Sequence, residues 1–172
     1  MKPISLLILT LLLMHPAGLS AQYESPDLKT IDGVIEALYA SISGDKGVER
    51  DWATFRTLFT EDARLIPTGP GQEGGFSYRA LSPEEYIEMA GPALMVNGFF
   101  EQEIHRETHR YDPIAQVFST YTSRNTKDGP LIARGINSIQ LLWTGEQWKI
   151  MTVFWSAESN DRPIPQSFDA AN

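Results

Sequence analysis

Residues 99–157 read FFEQEIHRETHRYDPIAQVFSTYTSRNTKDGPLIARGINSIQLLWTGEQWKIMTVFWSA, and this segment sets the architecture. In four runs, about 99–111, 114–124, 131–143 and 148–157, apolar and polar side chains alternate with the period of a β-strand. The runs are separated by Asp112-Pro113, Lys127-Asp128-Gly129-Pro130 and Gly145-Glu146, each built from residues that favour tight turns. Four strands with short links predict a run of antiparallel neighbours.

Upstream, the period changes to that of a helix. Ile31, Val34, Ile35, Leu38, Tyr39 and Ile42 recur every three or four residues, which places them on one helical stripe. Thr30 is the expected N-cap, and Gly44-Asp45 the expected stop. A second helix is predicted after Asp51, with Trp52, Phe55, Leu58 and Phe59 inward. The short, charged link Gly44–Arg50 makes the two a packed pair. Ser82-Pro83-Glu84-Glu85 starts a third helix: Ser caps, Pro occupies the first turn and Glu85 closes a capping box. Its inner residues are Tyr86, Ile87 and Ala90, and Gly91-Pro92 marks its expected end. Ala63–Pro67 reads as a short strand. The glycine-rich segment Thr68–Gly75 is a loop that lacks the lysine and the spacing of a phosphate-binding motif. Helices followed by strands predict an α+β fold with helices on one face of an antiparallel sheet.

The 172 residues are 42% hydrophobic, enough for the core of one domain. A formal charge of -8 and the lack of a Lys/Arg run argue against nucleic acid as a partner. The sequence has no cysteine, which excludes disulfides, thiolate nucleophiles and Cys-ligated metal. Lys2, the apolar run Ile4–Met14, the breakers His15, Pro16 and Gly18, and Leu19-Ser20-Ala21 describe a secretory signal over residues 1–21. The alternative is an apolar helix packed on the domain. The run is too short to remain across a membrane, which takes roughly 20 apolar residues. The expected organisation is a signal at 1–21, one domain at 22–158 and a polar tail at 159–172, in a periplasmic or secreted protein without stable membrane insertion.

Three segments carry a family likeness: Leu58-Phe59-Thr60-Glu61-Asp62-Ala63; Ile114–Tyr121; and Ala133–Leu141 leading through a glycine turn to Trp148-Lys149-Ile150 and Phe154-Trp155. Together they resemble the nuclear transport factor 2-like superfamily in its SnoaL-like, ketosteroid-isomerase-like branch, over most of residues 28–158. The resemblance implies a cone-shaped, strongly curved antiparallel sheet whose concave face is covered by three N-terminal helices. It also implies sheet-to-sheet homodimers. It does not imply one reaction, because that fold hosts isomerases, cyclases, dehydratases and binding subunits. The family's acids do not carry over. Aligning Glu61-Asp62-Ala63 on the isomerase segment puts Pro67 at the general base, and Ser156 falls at the acid position of the cyclases.

Counting outward from the turns sorts the strand residues by face. The Gly145-Glu146 turn predicts Trp143 with Trp148, Leu141 with Ile150, Ile139 with Thr152 and Asn137 with Phe154 on the inner face. The Asp112-Pro113 turn predicts Arg110 with Ala115, Thr108 with Val117, Arg106 with Ser119 and Ile104 with Tyr121. The candidate ligand-binding residues are therefore Arg106, Ser119, Tyr121, Asn137 and Phe154 from strands, with Tyr39, Trp52 and Tyr86 from helices. A charged Arg106 facing inward needs a partner: a ligand carboxylate, or a helix acid such as Glu36 or Asp62. The outer face receives Glu103, His105, Glu107 and His109, with Gln116, Phe118, Val153 and Trp155 among its neighbours. Its Glu/His alternation suggests metal ligands, but His105 and His109 are about 13 Å apart along a strand. No metal and no cofactor are expected, and the outer face is read as a homodimer surface. With the faces inverted, His105 and Glu103 become the catalytic candidates.

These readings leave three functions: a binder of a small, partly apolar molecule; a lyase- or isomerase-like enzyme using a His–carboxylate pair; and a non-catalytic dimeric interaction subunit.

Overall fold

The computed structural model describes residues 26–169, so the expected signal lies outside the described residues. The elements run α1 (Ile31–Ile42), α2 (Trp52–Thr57), β1 (Phe59–Pro70), β2 (Phe76–Tyr78), α3 (Pro83–Asn97), β3 (Phe100–Tyr111), β4 (Ile114–Arg124), β5 (Leu131–Trp143) and β6 (Trp148–Ala157). This is an α+β fold with a six-stranded open sheet and three helices.

The helix starts are made by the caps the sequence offers. Thr30 Oγ1 accepts from the Gly33 amide at 3.0 Å, and Asp51 Oδ1 accepts from the Thr54 amide at 2.9 Å. Ser82 and Glu85 satisfy each other's amides in a complete capping box. Each such cap is worth about 1 kcal/mol. The third helix does not end at Pro92 but continues to Asn97. Proline removes one intrahelical bond there, while tertiary bonds hold the turn beyond it. The buried Arg50 donates to the Leu94 carbonyl at 2.6 Å, and the Gly47 amide donates to Met95 O at 2.7 Å. Gly98, at φ 73°, then stops the helix where any side chain would collide with the Asn125 carbonyl.

The strand order is β2-β1-β6-β5-β4-β3. The antiparallel run β3–β6 is the one expected. The sheet as a whole is mixed, however, because β1 lies parallel to β6, with Leu65 opposite Val153. These two strands are far apart in sequence and joined by a long crossover, which permits parallel pairing where a hairpin does not. Thr68–Gly75 is not a free loop: β2 folds back on the end of β1, and Gly74 and Gly75 supply positive φ in the turn. Phe55, Leu58, Val117, Ile139, Leu141 and Ile150 form the core with Val34 and Ile35 of α1. Each such burial contributes about 2 kcal/mol. The first helix packs on β3 and β6, and the third on β1.

Two β-bulges control which side chains face this core. Glu103 pairs with Tyr121 and His105 with Thr120, so Ile104 is an extra residue in β3. Leu141 pairs with Ile150 and Gln140 with Thr152, so Met151 is an extra residue in β6. Past each bulge the alternation is inverted relative to a regular strand.

Beyond β6 the chain returns over the other side of the sheet. The Thr120 hydroxyl donates to the Phe168 carbonyl at 2.5 Å, the Phe118 and Phe168 rings lie 5.4 Å apart, and Arg134 pairs with Asp169 at 2.5 Å. Among the described residues, no helix is long and apolar enough to cross a membrane.

Candidate functional site

A cavity of about 240 Å³ lies between the helices and the sheet. Its apolar walls come from Leu38 and Ile42 of α1, Phe55 of α2, Leu65 of β1, and Val153 and Trp155 of β6. Tyr86 of α3 and Phe99, ahead of β3, add aromatic surface. The polar groups reaching it are Glu101, Tyr121, Ser123 and Asn137. Glu101 carries the only formal charge among these lining residues, and no Lys, Arg or His joins it.

The end of α1 positions Glu101. Gly44 and Phe99 exchange amide hydrogen bonds at 2.7 and 3.0 Å, and the Glu101 amide donates to Ser43 Oγ at 3.0 Å. The bulge at Ile104 then brings Glu101 and Glu103 onto the inner face, opposite Ser123 and Tyr121. Tyr121 in turn lies across Gly135, its partner on β5. A Cβ at residue 135 would come within 2.5 Å of the Tyr121 hydroxyl, so this glycine makes room for a cavity wall.

The environment of Glu101 penalises its charge. Burial pushes its carboxyl up from 4.5 to about 7, against the opposing hydrogen bond from Asn137 Nδ2 at 3.4 Å. A buried carboxylate without a cation prefers its proton. The Tyr39, Tyr86 and Tyr121 phenols are pushed up from their ordinary value, first by burial and then by the charge of Glu101.

A directed chain of hydrogen bonds leads away from Glu101. The Asn137 amide also donates to the Tyr39 oxygen at 3.0 Å. Tyr39 has one proton, which goes to Ser119 Oγ at 2.7 Å; the Ser119 proton goes to Glu103 Oε1 at 2.5 Å. Glu103 also accepts from Arg106 Nε at 2.9 and 3.0 Å and from Nη2 at 2.5 Å. Arg106 Nη1 pairs with Asp32 of α1. Burial lowers the affinity of this guanidinium for its proton, but the hydrogen bonds and charges of Glu103 and Asp32 outweigh that and raise it.

The sequence-derived candidates divide accordingly. Tyr86, Tyr121 and Asn137 line the cavity, while Tyr39 and Ser119 stand behind Asn137. Arg106 faces inward but outside the cavity lining, and its partners are protein acids, Glu103 and Asp32, rather than Glu36 or Asp62. Trp52 packs edge-on to Phe55, outside the lining. Phe154 is a correction: the Met151 bulge turns it outward, 46% exposed, and brings Val153 and Trp155 to the cavity instead. Glu103 is a correction in the opposite sense, moved inward by the Ile104 bulge. His105 pairs across to Thr120 beneath the C-terminal segment, so the structure does not bring His105 and Glu103 together. Pro67 and Ser156 sit on strands outside the cavity lining. Among the described residues, no group of three or more His, Asp or Glu lies close enough to hold a metal ion. Sequence reasoning missed Glu101, the functional group of greatest consequence; only the bulge, which no residue type announces, turns it inward.

No protein-family model and no curated protein matches this sequence. Solved structures do match, at low identity. An NTF-2 like protein of unknown function from Silicibacter pomeroyi is 14% identical at a TM-score of 0.50, over 74% of this chain and 92% of the other. A candidate scytalone dehydratase from Novosphingobium aromaticivorans is 14% identical at 0.56, over 81% and 89%. A protein of unknown function with a cystatin-like fold from Nostoc punctiforme is 13% identical at 0.56, over 76% and 90%. The nuclear transport factor 2-like fold implied by the sequence is the fold found, and at these identities the likeness extends to fold alone.

Proposed function

We propose that this chain is an exported protein that binds a small, partly apolar molecule in the cavity between sheet and helices. The finer shape belongs to the same proposal: the sheet curls into a cone, and the three helices cover its concave face. The observation that carries the reading is a cavity of about 240 Å³ whose apolar walls converge on one carboxyl, one amide, two phenols and the Ser123 hydroxyl. Apolar concavities with a few convergent polar groups are the usual form of small-ligand sites. The outer sheet face, partly covered by the C-terminal segment, is proposed as a homodimer surface.

Thermal shift with a panel of small apolar alcohols, ketones and amines tests the binding. A ligand at about 100 times its Kd adds about 2.7 kcal/mol of stability. Ala133→Phe, which fills the cavity from β5, is expected to remove the shift while the chain still unfolds cooperatively. A shift unchanged in Ala133→Phe places binding elsewhere and sinks the reading.

A second reading, a lyase- or isomerase-like enzyme, is favoured by one observation. Glu101 titrates at about 7, where a carboxyl can both take and return a proton near neutrality. In this reading Glu101 replaces the His–carboxylate pair as the proton-transfer group.

A further inference from the structure

Resting on the binding reading, we infer that the molecule taken by this cavity is an apolar amine, whose ammonium group pairs with Glu101 and whose hydrocarbon body lies against the aromatic walls.

Glu101 is an acid lining a mostly apolar cavity, and among the described residues it has no cationic partner. Arg106, the guanidinium in the adjoining cleft, is committed on both sides, to Glu103 and to Asp32. It is therefore not free to neutralise Glu101. A ligand carboxylate or phosphate entering the cavity would meet a like charge whenever Glu101 is ionised, with no counter-ion, a costly arrangement in a low-dielectric site. A ligand cation would meet the opposite charge at close range and be attracted strongly.

The rest of the polar set agrees. Asn137 presents its NH₂ to both Tyr39 and Glu101. Because the chain Tyr39–Ser119–Glu103 runs in one direction only, this amide orientation is fixed. It supports an ionised Glu101 without neutralising it. The Tyr86 and Tyr121 oxygens can accept further hydrogen bonds from an ammonium group. Phe55, Phe99 and Trp155 supply ring surface, and π-faces attract ammonium ions.

Proton linkage supplies a signature. Amine binding needs Glu101 ionised, so it competes with the proton that burial favours. The titratable groups facing Glu101 are Tyr39 from α1, Tyr86 from α3 and Tyr121 from β4, whose phenols burial keeps protonated. Glu36, Glu103 and Arg106 border Glu101 from the cleft between α1 and β3. The lining residues of α2, β1, β5 and β6 add no titratable group.

The test is calorimetry on the full chain with three probes of one shape: 2-phenylethylamine, 2-phenylethanol and phenylacetate. The amine is expected to bind at least about tenfold tighter than the alcohol, a difference of about 1.4 kcal/mol, and phenylacetate to bind weakest. With Glu101 titrating at about 7, amine affinity is expected to fall about tenfold from pH 8 to pH 6, as the ionised fraction falls. Glu101→Gln is expected to abolish the amine preference while the alcohol still binds, which separates lost recognition from lost folding. If the alcohol or phenylacetate matches the amine in the unmodified protein, the amine assignment is overturned and the binding reading stands. If none of the three binds, both are overturned.

Discussion

Glu101 and Glu103 are two residues apart on one strand and face the same side of the sheet, yet their surroundings have little in common. Glu103 accepts from Ser119 and from the fork of Arg106, which Asp32 also holds. Glu101 has a single long side-chain hydrogen bond, from an amide, with the apolar cavity on one side and the cleft between α1 and β3 on the other. The first arrangement commits a carboxylate to structural hydrogen bonds. The second raises the affinity for a proton until the group titrates at about 7. Partners, rather than residue type, decide which acid is part of the scaffold and which is available for chemistry.

The largest effect that would break this comparison is in stability against pH. Glu101 has a raised folded-state pKa, so the folded state prefers its protonated form. Its contribution is fully present below about 4.5 and is lost as pH rises through about 7. The shift corresponds to about 3 kcal/mol. Urea unfolding of the unmodified protein and Glu101→Gln, at pH 4 and pH 8, is expected to show the variant gaining about 3 kcal/mol relative to its parent at the higher pH. A gap that does not move with pH would show that burial does not shift the Glu101 carboxyl.

A smaller effect is expected at the other acid. Glu103→Leu leaves Arg106 with Asp32 alone and takes the acceptor from Ser119. It is expected to cost about 2 kcal/mol in urea unfolding at pH 7.5, less than for a fully buried pair because the guanidinium keeps some contact with solvent. It is also expected to lower the Glu101 midpoint, because it frees one side of Arg106 in the adjoining cleft and removes the acceptor that sets the direction of the Ser119–Tyr39–Asn137 chain. An unmoved midpoint would show that the two acids are independent in spite of the hydrogen bonds that link them.

Much of the scaffold was legible because its signals are local. Thr30, Asp51 and Ser82 cap the helices they were expected to cap, and the strand limits at 114–124, 131–143 and 148–157 follow from the turns between them. Pairings near those turns, such as Arg106 with Ser119 and Leu141 with Ile150, also follow by counting. Counting fails at Ile104 and Met151, where a bulge adds a residue and inverts the faces beyond it. Because of those two residues, counting from the turns places Phe154 inward and Trp155 and Glu103 outward, the reverse of the structure. The same two residues explain why the count never brings Glu101 to the cavity. The continuation of α3 past Pro92 had the same kind of cause, because Arg50 holds the last turn from 44 residues away. The candidate site was therefore legible in its helices and in Tyr121, Ser119 and Asn137, but not in the acid that gives it character.

The most direct measurement is the titration of the Glu101 carboxyl carbon by ¹³C NMR, with the resonance assigned by its disappearance in Glu101→Gln. The account predicts a midpoint of about 7. A midpoint near the ordinary glutamate value of about 4.3 would contradict it, because a carboxyl that ionises so readily has water or a cation beside it and is not enclosed by the apolar walls described above.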